Sequence, residues 1–323
     1  MSSSAASAGA EIGVICGPTA AGKSAVAFWL AREGVDGRPC TIISADSRQI
    51  YRDFDIGTAK PTLEERTLVP HRGVDIAQPI ERYSAAAWAA GADDWIEEAH
   101  AAGRAPLVVG GTGLYLRALF EGLFEEPELD PIRRRSLDAF LGTMPLSELQ
   151  RWTRALDPAR AALGRTQLLR AIEIALLTGR RLSDLHRDRA RRPRWRPRYL
   201  VVDPGPALAQ RIETRIDQML VHGWLDEVRQ LMQTVPADAP AWKSTGYDAI
   251  RQMVDGVIPL GRAREMVVVA TRQYAKRQRT WFRHQLRPEL VTRLNPLARE
   301  WRRIAVDWSA VSNAPRTRRE TTA

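Results

Sequence analysis

The sequence predicts an α/β protein: a phosphate-loop-containing parallel sheet flanked by helices, carrying a helical insertion. Three observations lead there. A short apolar run, Glu11–Cys16, passes directly into Gly17–Pro18–Thr19–Ala20–Ala21–Gly22–Lys23–Ser24, which fits the pattern G-x-x-x-x-G-K-S/T in full. Strand-like and helix-like segments then alternate, the signature of parallel strands with helices on both faces. After about Gly122 the character changes to an arginine-studded helical stretch.

Taken in order, Gly17–Pro18 closes the first strand as a turn, and Ala25–Arg32 has helical spacing. Thr41–Ser44 is a second short strand, followed by polar Ala45–Asp46–Ser47. Ser84 is an N-cap for an Ala-rich helix that runs to about Ala102 and stops at Gly103. Pro106–Val109 is a third, buried strand, broken by Gly110–Gly111. From Pro131 to about Leu185 the chain reads as helices, with turn signals at Gly142, Asp157–Pro158 and Thr178–Gly179. A proline-punctuated basic stretch, Arg187–Arg198, precedes a return to strand at Tyr199–Val202. Ala207–Met232 and Gly261–Leu286 read as two long helices. The expected organisation is a disordered tail over 1–10, a core built from 11–121 and 199–308, an insertion over 122–198, and a disordered tail over 309–323.

Composition sets limits. The 323 residues are 44% apolar, enough for a sizeable core, and no apolar run nears the roughly 20 residues of a membrane helix. The first ten residues lack the charged and apolar regions of a signal peptide. Two cysteines, Cys16 and Cys40, with no Cys/His cluster, argue against a disulfide scaffold and a zinc finger, so the cytoplasm is the expected compartment. The net charge of +10 is unevenly spread: residues 1–129 hold 11 basic and 18 acidic side chains, and the remainder 37 and 20. Such an excess repels itself unless solvent or a polyanion absorbs it. Nucleic acid is the commonest such partner, because neutralised phosphates release counterions. The alternative is arginine placed on solvated faces.

In the phosphate loop, glycines permit the tight turn, main-chain N–H groups converge on phosphate oxygens, and the next helix directs its positive end there. Lys23 adds a point charge, and the Ser24 hydroxyl is placed to ligate Mg²⁺. ATPases and GTPases usually end a second buried strand in an acidic residue that holds magnesium. Here Leu107–Val109 ends in Gly110–Gly111–Thr112, a hydroxyl instead, which argues against ordinary nucleotide hydrolysis. Asp46 stands just past the second strand, on the side where open α/β sheets bind ligands. A carboxylate there could hold magnesium, act as a base, or only cap a turn.

Several ordered motifs now share a pattern. Asp46–Ser47–Arg48–Gln49–Ile50–Tyr51, Asp55–Pro61, and Pro70–His71 with Asp75 resemble the signature of bacterial tRNA dimethylallyltransferases. Gly110–Tyr115 is similar to that family's second loop, and Thr271–Gln278 with Thr280–Arg283 to its C-terminal basic helix. The likeness runs from about residue 12 to residue 286.

The resemblance implies transfer of the dimethylallyl group from dimethylallyl diphosphate to N6 of the adenosine just 3′ of the anticodon, in tRNAs reading codons that begin with U. It implies that residues Gly17 to Ser24 and Arg215 hold the diphosphate, with Mg²⁺ on Ser24. Asp46 would take the amine proton and Thr112 would lie near the reacting adenine. Ser47, Arg48 and Gln49, then Arg134, Thr166, Gln167, Leu168, Leu169 and Arg170, then Ser244, Thr245, Gly246 and Tyr247, correspond to tRNA-contacting positions. The insertion would bind tRNA. Arg272, Lys276, Arg279 and Arg283 share one helix face, which would line a passage or meet RNA backbone. The implied partners are the anticodon stem-loop and the prenyl donor, with a monomer and no membrane expected. Two rivals stand beside this reading: a phosphate-loop nucleoside or small-molecule kinase, with Arg180–Arg181 or Arg191–Arg192 as its lid, and a non-catalytic RNA-binding protein.

Overall fold

Short apolar runs punctuated by glycine and proline become strands when helices cover both of their faces, and the chain builds such a sheet. The structure, a computed structural model, describes residues 9–35, 37–122, 129–188 and 193–310. Most of both expected tails, and Arg189, Arg191 and Arg192 of the basic stretch, lie outside the described residues. In chain order come β1 (Ala10–Cys16), α1 (Lys23–Glu33), β2 (Cys40–Ala45), α2 (Leu63–Leu68), β3 (His71–Arg72), α3 (Ala85–Ala101), β4 (Ala105–Gly110) and α4 (Gly113–Arg117). Then follow α5 (Pro131–Gly142), α6 (Leu146–Leu156), α7 (Arg165–Thr178), α8 (Leu182–Asp188) and β5 (Trp195–Val202). The last elements are α9 (Leu208–Val221), α10 (Trp224–Thr234), α11 (Tyr247–Val254), α12 (Leu260–Gln285), β6 (Val291–Leu294) and α13 (Trp301–Ser309).

The chain divides into two compact units: Met1–Phe120 with Arg194–Ala323, and Glu121–Pro193. The larger holds a six-stranded sheet in the order β3-β2-β4-β1-β5-β6, parallel throughout. Every residue of β2 and β4 is buried. The register matters most for function. Cys16 of β1 and Ala45 of β2 both pair with Gly110 of β4, so the three strands end at one level. Gly17, Asp46 and Gly111 therefore leave the sheet side by side, along the edge where open α/β sheets take ligands.

The smaller unit packs α5–α8 around two apolar clusters. One holds Leu141, Leu149, Leu168 and Ile172, the other Ala171, Ile174, Leu182 and Leu185. Asp130 caps α5 by accepting from Ile132 N at 2.8 Å, with Pro131 at the first helical position. Inside this unit the buried Glu173 pairs with both Arg134 and Arg170.

Two sequence expectations need correction. Strand β5 begins at Trp195, so residues 194–198 belong to the sheet-bearing unit and not to the 122–198 insertion. Pro197 is tolerated there because β6 joins only from Tyr199 onward, leaving the proline on an open edge with no ladder bond to lose. The helix expected over Ala207–Met232 is two helices, α9 and α10, parted at Gly223, whose φ of 94° ends one and starts the other. The four-residue β6 is too short to be read in advance, and α13 was not anticipated either.

The loop from Phe54 to Pro61 is anchored by aromatic packing. Phe54 meets Tyr247 at 4.9 Å and Trp242 at 5.2 Å between ring centroids. Gly57 sits against this cluster: a Cβ there would overlap Trp224 and lie 2.6 Å from Tyr247. Gly57→Ala should therefore destabilise the protein by about 1–3 kcal/mol through overpacking. An unchanged urea midpoint for that variant would show that the cluster can yield.

Candidate active site

The phosphate loop is held open by ties to its own backbone and to two helices. Lys23 Nζ donates to Pro18 O at 2.8 Å, and Ala21 N to the same carbonyl at 3.3 Å. From α9, Arg211 Nε donates to Ala20 O at 2.9 Å. From α12, Gln278 Oε1 accepts from Thr19 N at 2.8 Å. The loop thus keeps its concave form at the N-terminus of α1, where main-chain donors and the helix end favour an anion.

A cavity of about 300 Å³ opens in front of it. Lys23, Ser24, Asp46, Arg48, Arg215 and Tyr274 are among its lining residues. Phe28, Ile42, Val109, Ile216, Met219 and Val267 give it an apolar wall. A second pocket reaches Lys23, Ser24 and Arg215 from the side of Arg211 and Gln218. The cations are partly out of water. Burial pushes Lys23 down to about 8, with Asp46 opposing the shift and Arg215 reinforcing it. Burial also lowers Arg215, again opposed by Asp46 and reinforced by Arg211. Cationic groups whose charged form is disfavoured by desolvation gain from a bound anion.

Asp46 lines this cavity while its Oδ1 accepts from Arg48 N at 2.9 Å, so the turn-capping role and the cavity position coexist. Thr112, from the loop after β4, accepts from Ser47 N through Oγ1 at 3.0 Å. Its own N–H donates to Ala45 O at 3.1 Å. Its hydroxyl also meets Tyr274, whose phenol is pushed up to about 12 by burial and by the Asp46 charge. Tyr274 therefore stays protonated at neutral pH.

Several of the positions expected to contact RNA have side chains engaged inside the protein. Gln49 spends its amide in the cavity wall, accepting from Ser44 Oγ at 2.9 Å and donating to Ala59 O at 2.9 Å. Tyr247 is fully buried and donates its hydroxyl to Glu227 at 2.6 Å. Ser244 is buried as well; Thr245 lines the cavity and Gly246 begins α11. In the smaller unit, Leu168 is a core side chain and Leu169 packs against it. The side chains of Leu168 and Tyr247 are thus spent on packing, whereas the buried Ser244 lines the cavity together with Thr245. Thr166 and Gln167 are exposed, Gln167 also accepting from Gly164 N at 3.2 Å. On α12, Arg272 pairs with Glu213, and Arg279 grips Asp203 at 2.9 Å and Gly205 O at 2.6 Å. Lys276 and Arg283 are exposed on it. The sequence had not singled out Gln278, Arg211 or Glu227. Only the i, i+4, i+7, i+11 spacing of Val267, Thr271, Tyr274 and Gln278 hinted at a lining face.

Magnesium fits this donor set in one form only. Among the described residues there is no group of three His, Cys, Asp or Glu side chains. Mg²⁺ held chiefly by substrate phosphates and water needs no such cage, only one or two protein oxygens. Ser24, lining the cavity beside Lys23, would supply one.

These features define a phosphate-loop α/β protein with a buried cationic pocket facing a carboxylate. The family model described as IPP transferase matches residues 49–285, and the chain belongs to that family. A tRNA dimethylallyltransferase from Alkalilimnicola ehrlichii is 43% identical over 279 residues, covering 84% of this chain and 87% of that one. Another, from Stenotrophomonas maltophilia, is 40% identical, covering 84% and 89%. The crystal structure of a tRNA isopentenylpyrophosphate transferase from Bacillus halodurans matches with a TM-score of 0.61 at 34% identity, covering 88% of this chain and 89% of that one. A eukaryotic dimethylallyltransferase, described as acting on tRNA, matches with a TM-score of 0.73 at 27% identity, covering 88% and 73%. Among the described residues no helix is long and apolar enough to cross a membrane.

The Lys23 shift has a measurable sign. Its ammonium is charged below about pH 8 and neutral above. The affinity advantage of the wild type over Lys23→Met for inorganic diphosphate should be full near pH 7. It should shrink, by up to about tenfold per unit, as pH rises beyond about 8. Comparing the two proteins by calorimetry cancels the titration of diphosphate itself. A ratio that stays constant from pH 7 to 9.5 would remove Lys23 as the titrating group.

Proposed function

We propose that the chain transfers the dimethylallyl group from dimethylallyl diphosphate to N6 of an adenosine in tRNA, the one 3′ of the anticodon in tRNAs reading codons that begin with U. The observation that carries this reading is that one cavity joins the cationic phosphate loop, an apolar wall and Asp46. The names of the family relatives support it.

The diphosphate lies on main-chain donors of the loop, with Lys23 and Arg215 as its counter-charges, and the apolar wall covers the five-carbon chain. A stacked purine cannot enter so enclosed a site, so the adenosine is extruded, at a cost of roughly a few kcal/mol. RNA loops suit this because their bases splay out. N6 bonds to C1 of the allyl group while the C1–O bond to diphosphate breaks. The amine is a poor nucleophile until its proton leaves, and that proton goes to the Asp46 carboxylate. Charge developing on the departing diphosphate is absorbed by Lys23, Arg215 and the N-terminus of α1. Ser24 would hold Mg²⁺, which would supply further neutralisation of the leaving group. The helical unit serves as the tRNA-binding insertion, with Arg134 and Arg170 held ready by Glu173.

Purified protein with dimethylallyl diphosphate, Mg²⁺ and unmodified tRNA should yield N6-isopentenyladenosine without ATP, read by mass spectrometry of tRNA nucleosides. Transfer of labelled γ-phosphate to an acceptor, with no prenyl product, would favour the kinase and sink this assignment. Asp46→Ala should lower turnover by about 10²–10⁴-fold, while tRNA retention stays within about twofold. Near-normal turnover of that variant would take Asp46 out of the mechanism.

A further inference from the structure

We infer that Gln278 is a positioning residue, fixing the spacing between the diphosphate cradle and the loop that orients the acceptor side. This rests on the transfer reading above. Gln278 is buried at 6% exposure on α12, far in sequence from both loops it meets. Its Oε1 accepts from Thr19 N at 2.8 Å, inside the phosphate loop. Its Nε2 donates to Gly111 O at 2.9 Å, in the loop after β4. A single planar amide thus spans the loops that leave β1 and β4 at the same level.

Each loop leads to one half of the chemistry. Thr19 belongs to the phosphate loop, and its N–H is bonded to Gln278. Gly111 precedes Thr112, which holds Ser47 N and so the start of the Asp46 loop. Gly111 also provides the clearance: a Cβ at that position would overlap Gln278 Nε2. No close substitute for the side chain does both tasks. Glutamate lacks the donor for Gly111 O, and asparagine is one methylene short. A buried glutamine that only satisfied two main-chain groups would matter for stability alone. Here the two groups flank the cavity, where the distance from leaving group to base sets the rate, and a misplacement of about 1 Å can cost roughly 10²-fold.

The test uses the full chain with Gln278→Met, which keeps length and loses both bonds. At saturating substrates its kcat should fall about 10–100-fold, with KM for tRNA close to wild type and a melting temperature lower by only a few degrees, so that the protein is fully folded in the assay. The Kd of inorganic diphosphate should rise a few-fold. Gly111→Ala, which pushes the amide aside, should give a similar defect, and the double variant should be no worse than the poorer single. A wild-type kcat for Gln278→Met, or a loss that only tracks the unfolded fraction, would overturn the inference. Additive single defects would overturn it too. If the wild type itself forms no prenylated tRNA, the transfer assignment fails instead. An unchanged diphosphate Kd in Gln278→Met would then count against the amide tie on its own.

Discussion

The site depends on a register. Cys16 and Ala45 face the same residue, Gly110, across the two ladders that flank β4. Side chains alternate along a strand, so Ile42, Ser44 and Asp46 all face the cavity, while Thr41 and Ile43 point to the other side. A slip of β2 by one residue would turn the other set inward and carry the carboxylate out of the site. The burial of all six residues of β2 prevents it, because both faces are already committed to packing. Catalytic geometry is thus a consequence of core packing several residues away from the chemistry.

The same arrangement trades stability for affinity. Lys23 and Arg215 stand where burial disfavours their charge, and each is lowered for that reason. Burying a cation without a full counter-charge is expensive, and Asp46 offsets it only in part. An anion entering the cavity would relieve that cost and stabilise the folded state by mass action. The free protein is therefore held ready for an anion by groups that would be better solvated elsewhere.

Legibility in the sequence followed the range of the forces involved. The phosphate loop, the strand ends and Asp46 were readable because turn chemistry and strand period are local signals. Gln278 and Glu227 were not, since Gln278 bonds Thr19 across 259 positions and Glu227 bonds Gly57 across 170. A motif gives position in a family pattern but not exposure, so Tyr247 and Leu168 look like contact residues in the sequence and are core in the fold. The basic face of α12 was read correctly as a face, yet Glu213 and Asp203, on other segments, neutralise half of it. The break between α9 and α10 rests on one glycine with a positive φ, a feature that periodicity alone passes over.

The wall opposite the phosphate loop poses a harder problem, because residues 53–61 form neither helix nor strand. Its backbone must find partners elsewhere. Glu227 accepts from Asp55 N at 2.9 Å and from Ile56 N at 2.5 Å, and takes the Tyr247 hydroxyl at 2.6 Å. Gln49 holds Ala59 O, and the buried Lys60 binds Tyr51 O at 2.7 Å, Asp55, and Asp75 at 2.6 Å. Side chains thus do for this segment what a ladder does for a strand. In the proposed transfer, an allylic carbon losing diphosphate would react with any water that reached it. A wall that must be irregular to shape a cavity, yet closed enough to keep water out, has to be tied at many points. The density of charged ties around Asp55–Lys60 answers that need, as Gln278 does on the opposite side of the same cavity.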